Sequence, residues 1–464
     1  MFVFYDTETT GTNKVFDQIL QFAAILTDEH LNPVDQINLR CRILPWVVPA
    51  PAALQITGIM PSQLDDPSLP SFYDMMTEIR LTLQDWSPAI FLGYNSIKFD
   101  EPFLHRAFWQ CLQPPYLTVS NGNARMDVLA LAQAAFGLAP NTLAVPLNEK
   151  HAPSFKLDRL APANGFAHAQ AHDALADVEA TIHIAALIRE RLPRLWDTSV
   201  ARAAKAKTAD LLQPDSPVLV VEYYGKPALW WGQRIDRGGA NARNAIMADL
   251  ASDWRALDKL DEPALTKWVK TSPRPVRALA TNKAPVVFSL DEAEAFWSMR
   301  PDGQQIANAQ KLSGEPSLCK QLVEAHTAAE PEWSKPVHLE ELIYEGFPSR
   351  TDEARMEAFH RSDWPGRAKL MYAFEDPRFK RLSQRLVYLE APQCLSGEER
   401  ANIERGIAVR LHVTDDEDHP WRSLEQARSE LSEFSDELLR GNLRTQLTTY
   451  FQMLAERFGL DRTA

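Results

Sequence analysis

The chain opens on an apolar run, Phe2-Val3-Phe4-Tyr5, that stops abruptly at Asp6-Thr7-Glu8-Thr9-Thr10-Gly11. Strand side chains alternate between faces, so the pattern predicts a strand over 2–6 with Asp6 and Glu8 pointing the same way. Apolar runs at Ile19–Thr27 and Ile90–Tyr94 predict two more strands, the second leading through a polar turn into a helical pattern from Glu101 to Cys111. A strongly apolar helix through Ile188 closes near Leu192-Pro193. Strands interleaved with helices predict an α/β unit over residues 1–192. Next, Val218–Tyr224 and Ala228–Trp231 flank Gly225-Lys226-Pro227 and predict a hairpin within a β-rich segment, 193–336. From 337 to 464 the pattern turns helical, with Leu339–Tyr344, Arg355–Phe359 and the long amphipathic stretch Ser423–Phe458. No internal repeat is visible.

Two carboxylates converging at a strand end invite a hard divalent cation such as Mg²⁺ or Mn²⁺. A strand simply running into an Asp/Thr-rich turn explains the same residues equally well. Asp100, after Gly93-Tyr94-Asn95-Ser96-Ile97-Lys98-Phe99, is either a further acidic ligand or the N-cap of the helix that follows. A third acidic segment is His168-Ala169-Gln170-Ala171-His172-Asp173-Ala174-Leu175-Ala176-Asp177. On one helix His172 and Asp177 would lie roughly 140° apart, so both reach one site only if His172 precedes the helix. Asp173 as N-cap would put it there, with Asp177 entering from the second turn. Otherwise His172 is a loop histidine bonded to nearby backbone and Asp177 part of a solvated helix face.

Taken together, Asp6, Glu8, Asp100, His172 and Asp177, with His-x₄-Asp spacing, resemble the histidine-bearing branch of the DEDD exonuclease superfamily. The likeness narrows to the exonuclease I family of bacterial single-strand-specific 3′→5′ deoxyribonucleases. It is carried by Gln21-Phe22-Ala23-Ala24-Ile25, Ile56-Thr57-Gly58-Ile59, Gly93-Tyr94-Asn95, Pro153-Ser154-Phe155-Lys156-Leu157, Arg243-Asn244-Ala245-Ile246-Met247, Asn282-Lys283-Ala284-Pro285 and Tyr344-Glu345-Gly346-Phe347, and so spans nearly the whole chain. One departure is the first motif, Asp-Thr-Glu-Thr-Thr-Gly, which looks closer to the proofreading subunit of bacterial replicative polymerase.

The resemblance implies a ribonuclease-H-like α/β exonuclease domain, a small SH3-like β-barrel domain and a C-terminal α-helical domain, arranged as a C-shaped clamp around single-stranded DNA. It implies two Mg²⁺ ions, with Mn²⁺ as a substitute. Asp6 would bridge them, Glu8 and Asp177 would help hold the ion that binds the attacking water, and Asp100 would hold the second. His172 would be the general base and 5′-mononucleotides the product. Substrate contacts are expected at Glu8, Thr9, Tyr94, Asn95, Tyr116 and Lys156; for Phe99 stacking on a base and a place in the core are both open. Contact with the acidic C-terminal tail of single-stranded-DNA-binding protein and action as a monomer are also expected. A ribonuclease of the same superfamily and a non-catalytic nucleic-acid-binding protein are the alternatives.

Composition changes this picture at one point. The net charge of −13 is unusual for a protein that binds phosphates, which normally draws on Lys and Arg. Local basic clusters would have to compensate. Between His183 and Lys207 stand Arg189, Arg191, Arg194, Arg202, Lys205 and Lys207 against Glu190 and Asp197, either a phosphate-facing surface or a solvated helix face. The run Asp415-Asp416-Glu417-Asp418 reads as a solvated loop. Otherwise the 464 residues, 45% hydrophobic and 24% charged, are ordinary for two or three domains, each with its own core. No signal peptide or membrane-spanning run is evident, and Cys41, Cys111, Cys319 and Cys394 have neither zinc nor disulfide spacing. Reduced thiols in a cytoplasmic protein are expected.

Overall fold

A five-stranded sheet carries the N-terminal acidic motif, in the order β3-β2-β1-β4-β5: β1 Phe2–Thr9, β2 Ile19–Thr27, β3 Pro33–Arg40, β4 Ile90–Gly93 and β5 Ala124–Asp127. The computed structural model describes residues 1–167, 173–236, 244–254, 257, 260–331, 335–412, 419–435 and 442–460. β1 is central, antiparallel to β2 and parallel to β4, with Phe4 opposite Ile25 on one side and Leu92 on the other. It runs to Thr9, so Glu8 and Thr9 belong to the strand and not to the turn. β2 is buried along its whole length, as its mostly apolar sequence, broken by Gln21, suits in a strand covered on both faces.

Alternation along β1 splits the core in two. Phe2 and Phe4 pack on one face with Ala174, Val178 and Ile184 of the helix Ala174–Arg191. Val3 and Tyr5 pack on the other with Phe103, Leu104 and Phe108 of the helix Asp100–Gln110. The two faces recruit different parts of the chain. The first cluster continues into Leu219, Trp231, Trp254 and Phe288 of the middle segment, the second into Phe359, Phe379, Leu447 and Phe451 of the C-terminal helices. The middle segment also buries a cluster of its own, with Val218, Val220, Trp230, Met247 and Val287, while the nuclease sheet lends one face to each neighbour.

The middle segment holds an antiparallel sheet in the order β10-β6-β7-β8-β9: β6 Val218–Tyr223, β7 Pro227–Arg234, β8 Asn244–Asp249, β9 Val276–Ala280 and β10 Val286–Ser289. The expected hairpin is β6–β7, turning at Gly225 with φ 71°. The β-rich expectation was too narrow, since this segment also carries the helices Glu262–Trp268, Leu290–Trp297, Gly303–Gly314 and Pro316–Ala329. Further on, Leu339–Tyr344 is a 3₁₀ helix, and the described residues of 423–458 include the helices Leu424–Glu433 and Leu443–Arg457. The acidic run 415–418 and Arg243 lie outside the described residues. All four cysteines are free thiols. No described helix is long and apolar enough to cross a membrane.

Candidate active site

Asp6, Glu8 and Asp177 converge at the C-terminal end of β1, each offering a carboxylate oxygen within 4.8 Å of the others. Asp6 and Glu8 share the β1 face covered by the helix Ala174–Arg191, so that helix delivers Asp177 to the same side. Its N-cap is Asp173, as the spacing predicts, but the carboxylate caps nothing. Instead Asp173 accepts from Gln21 Nε2 (3.1 Å) and Arg40 Nη2 (3.2 Å), which ties the start of the helix to β2 and β3. Asp177 falls in the first turn, not the second. His172 lies outside the described residues.

Asp100 arrives from the opposite face of the sheet. It is the first residue of its helix, after Phe99 at the cap position, so the N-cap reading is corrected. Thr7, whose side chain alternates away from Asp6 and Glu8, meets it there: Thr7 Oγ1 donates to Asp100 Oδ1 at 2.6 Å and Thr7 N donates to the same oxygen at 3.1 Å. The site is thus assembled over the end of one strand, with a carboxylate from a helix on each face.

Glu8 and Asp100 are buried and Asp6 and Asp177 half-buried, so water relieves this charge only in part. Burial first, then the neighbouring Asp100, Asp177 and Glu8, hold the Asp6 carboxyl well above the usual carboxylate range. Burial, Asp177 and Asp100 push Glu8 up to about 9, with Arg40 opposing. Burial raises Asp100 to about 7 against the lowering effect of the Thr7 hydroxyl. Oxygen-only ligands crowded at one strand end fit a divalent cation of the hard class, which would supply the missing positive charge.

The turn that leads to Asp100 is organised by Asp127, which the sequence reading passed over. Its carboxylate accepts from Asn95 N (3.0 Å), Ile97 N (3.3 Å) and Leu129 N (3.1 Å), capping the helix Val128–Leu138 and holding Asn95 at φ 64°. An Asp between a short strand and an apolar helical run was the available signal. Gly93 is needed because a Cβ there would lie 2.7 Å from the Tyr5 carbonyl oxygen and 2.5 Å from Ser96 Cβ.

The other expected contacts are scattered more widely. Tyr94 donates its hydroxyl to the Phe155 carbonyl (2.5 Å), placing the Gly93–Asn95 turn beside Lys156, which is exposed. Thr9 is buried and donates to Gly11 O (2.7 Å). Tyr116 sets its ring edge-on to His105 (5.1 Å) and to Phe347 (6.2 Å), an aromatic that is 83% exposed. Phe99 packs against the core, its ring 5.2 Å from Phe103, so the core reading holds. The basic run is largely committed to the protein itself: Arg202 clamps Glu292 and the Val287 carbonyl, Arg191 the Thr142 carbonyl, Arg189 bonds His30, and Arg194 covers Phe296.

Comparison with known proteins bears on the whole chain. Residues 3–185 match the exonuclease family model and residues 338–454 that of the exonuclease I C-terminal domain. Exodeoxyribonuclease I of Escherichia coli (strain K12) is 29% identical over 406 residues, which cover 82% of this chain and 83% of that protein. The crystal structure of E. coli exonuclease I in complex with a dA16 oligonucleotide superimposes with a TM-score of 0.84 at 26% identity, covering 98% of this chain and 99% of the other. The zinc-bound form of the E. coli enzyme's complex with single-stranded DNA gives 0.82 at 26% identity, covering 99% of each.

Proposed function

The chain belongs to the exonuclease I family, and we propose that it degrades single-stranded DNA stepwise from the 3′ end to 5′-mononucleotides. The observation that carries this reading is the convergence of Asp6, Glu8 and Asp177 at one strand end, with Asp100 held beside them by Thr7. The cofactor is a divalent metal, assigned here as two Mg²⁺ ions with Mn²⁺ as a substitute. Asp6, Glu8 and Asp177 would hold metal at the strand end, and Asp100 would serve as a further ligand. Bound there, such ions activate a water, relieve charge on the phosphate and stabilise the leaving 3′ oxygen.

The protein's own groups do the rest. His172 is assigned as general base, since a histidine side chain can take the proton of the attacking water at neutral pH. Glu8, Thr9, Asn95 and Lys156 are assigned to the terminal nucleotide. Tyr116 and the exposed Phe347 beside it offer ring faces on which bases of any sequence can stack. The division at 192 and 336 into nuclease, SH3-like and helical parts, their closure around the strand as a monomeric clamp, and contact with the acidic tail of single-stranded-DNA-binding protein rest on the family.

Digestion of matched single-stranded DNA, RNA and duplex DNA in Mg²⁺ tests the assignment. Loss of the DNA single strand alone supports it. Preference for RNA would move the activity to the ribonuclease branch, and retention of all three with tight binding would make this a recognition protein.

A further inference from the structure

The turn that follows the acidic strand is built around a second buried carboxylate with no part in the chemistry above. Thr10 N donates to the Gln18 carbonyl and Gln18 N to Thr10 Oγ1, both at 2.9 Å, which closes the loop between them. Asp17 fills it. Its carboxylate accepts from Thr10 Oγ1 (3.0 Å) and Asn13 N (2.8 Å). It also occupies the space beside Gly11, where a Cβ would stand 2.4 Å from Asp17 Oδ2. Any side chain at position 11 would have to displace the Asp17 carboxylate from this place.

The outer side of this loop is held by the C-terminal helical part. Arg422 Nη1 lies 3.7 Å from Asp17 Oδ1, while its Nε pairs with Glu430 at 3.0 Å. Asn13 Nδ2 donates to the Pro420 carbonyl (2.7 Å), and the Phe16 ring meets Trp421 edge-on at 5.8 Å. Arg410, itself bonded to Glu340, covers both rings. Burial raises the Asp17 carboxyl above its ordinary range and Arg422 opposes that rise, so the arginine favours the charged form that anchors Thr10 and Asn13. Thr10 is two residues beyond Glu8 on the same backbone.

We propose that Arg422, acting through Asp17 and the turn Thr9–Gln18, positions Glu8, so that the C-terminal helical part tunes the metal site as well as covering the sheet. Arg422 is a positioning residue in this assignment, which rests on the exonuclease reading of Asp6, Glu8 and Asp177. Plain adhesion between the two parts is the competing explanation. A structural bond predicts lost stability, whereas a positioning bond predicts weaker metal binding and a slower chemical step without loss of the fold.

The test compares the full-length protein with Arg422→Ala, Arg422→Lys and Asp17→Asn by steady-state digestion of single-stranded DNA, calorimetric titration with Mn²⁺ alone, and thermal unfolding. Small displacements in a catalytic constellation are costly, so Arg422→Ala should lower kcat roughly tenfold and weaken Mn²⁺ binding, with KM changed less than about twofold. Arg422→Lys should recover most of both. Adding Arg422→Ala to Asp17→Asn should cost little more than Asp17→Asn alone. If Arg422→Ala proves too unstable, Arg422→Gln carries the same expectations. Parent-like kcat and Mn²⁺ affinity in the charge-removed variant would overturn the proposal, as would losses that merely track a fall in Tm and are not rescued by lysine. A parent protein that fails to cut DNA would instead count against the exonuclease reading, while the Mn²⁺ titration would still test the coupling.

Discussion

Replacing Thr7 with valine removes one hydroxyl, keeps the side-chain shape and leaves every metal ligand in place. The hydroxyl donates to Asp100 Oδ1 at 2.6 Å in a buried setting, and the backbone donor at 3.1 Å survives the change. A hydrogen bond to a charged group is worth about 1.5–3 kcal/mol, and one pKa unit about 1.36 kcal/mol, so the Asp100 carboxyl should rise by roughly 1–2 units. It starts at about 7, already raised by burial. Because the carboxyl must lose its proton before it can hold a cation, Thr7→Val should move the acid limb of the pH–rate profile upward and raise the Mg²⁺ requirement at neutral pH. The deficit should shrink as pH rises beyond the new value, since the same carboxylate is then restored. The assay is the initial rate on 5′-labelled single-stranded DNA across pH, at several Mg²⁺ concentrations. Acid limbs that superimpose, with equal Mg²⁺ half-saturation at neutral pH, would refute the reasoning.

The remaining expectations follow from the same geometry. Glu8 is raised to about 9, so the stability its neutral form contributes is present below its ordinary pKa of 4.5 and is lost as pH rises through about 9. In metal-free buffer at alkaline pH Glu8→Gln should therefore unfold at a higher temperature than the parent, and a lower Tm would contradict the burial argument. Gly93→Ala must push a Cβ against the Tyr5 carbonyl and Ser96, costing about 1–3 kcal/mol and slowing cleavage through the turn before Asp100; an unchanged Tm would show that the turn yields freely. His172→Ala should lower kcat by about 10²–10⁴-fold with metal binding kept, and parent-like turnover would remove its role as base.

What the sequence made legible was whatever depends on near neighbours. Alternation put Asp6 and Glu8 on one face, and the capping position of Asp173 set Asp177 inside the helix that covers that face. The strands β1, β2, β4, β6 and β7 were visible as apolar runs between turn residues. Contacts between residues far apart in the chain were not. Thr7 and Asp100 stand 93 residues apart, so a hydroxyl on the wrong face of β1 gave no hint that it would hold a carboxylate. Asp173 looked like a cap and became an anchor for Arg40 and Gln21. Arg202 looked like a free cation and is spent on Glu292. The helices Gly303–Gly314 and Pro316–Ala329 were lost in a segment judged by its strands, and the sharing of one nuclease face with the C-terminal helices has no local signature.

The central claim is that these carboxylates hold metal which cuts a DNA strand from its 3′ end. The most direct measurement is digestion of a 5′-labelled single-stranded oligonucleotide in Mg²⁺, run beside an EDTA control and an Asp177→Asn variant of unchanged circular dichroism. The account predicts a ladder shortening from the 3′ end with release of 5′-mononucleotides, silent in both controls. Internal cuts, immediate release of the labelled 5′ end, or a ladder undiminished by Asp177→Asn would contradict it.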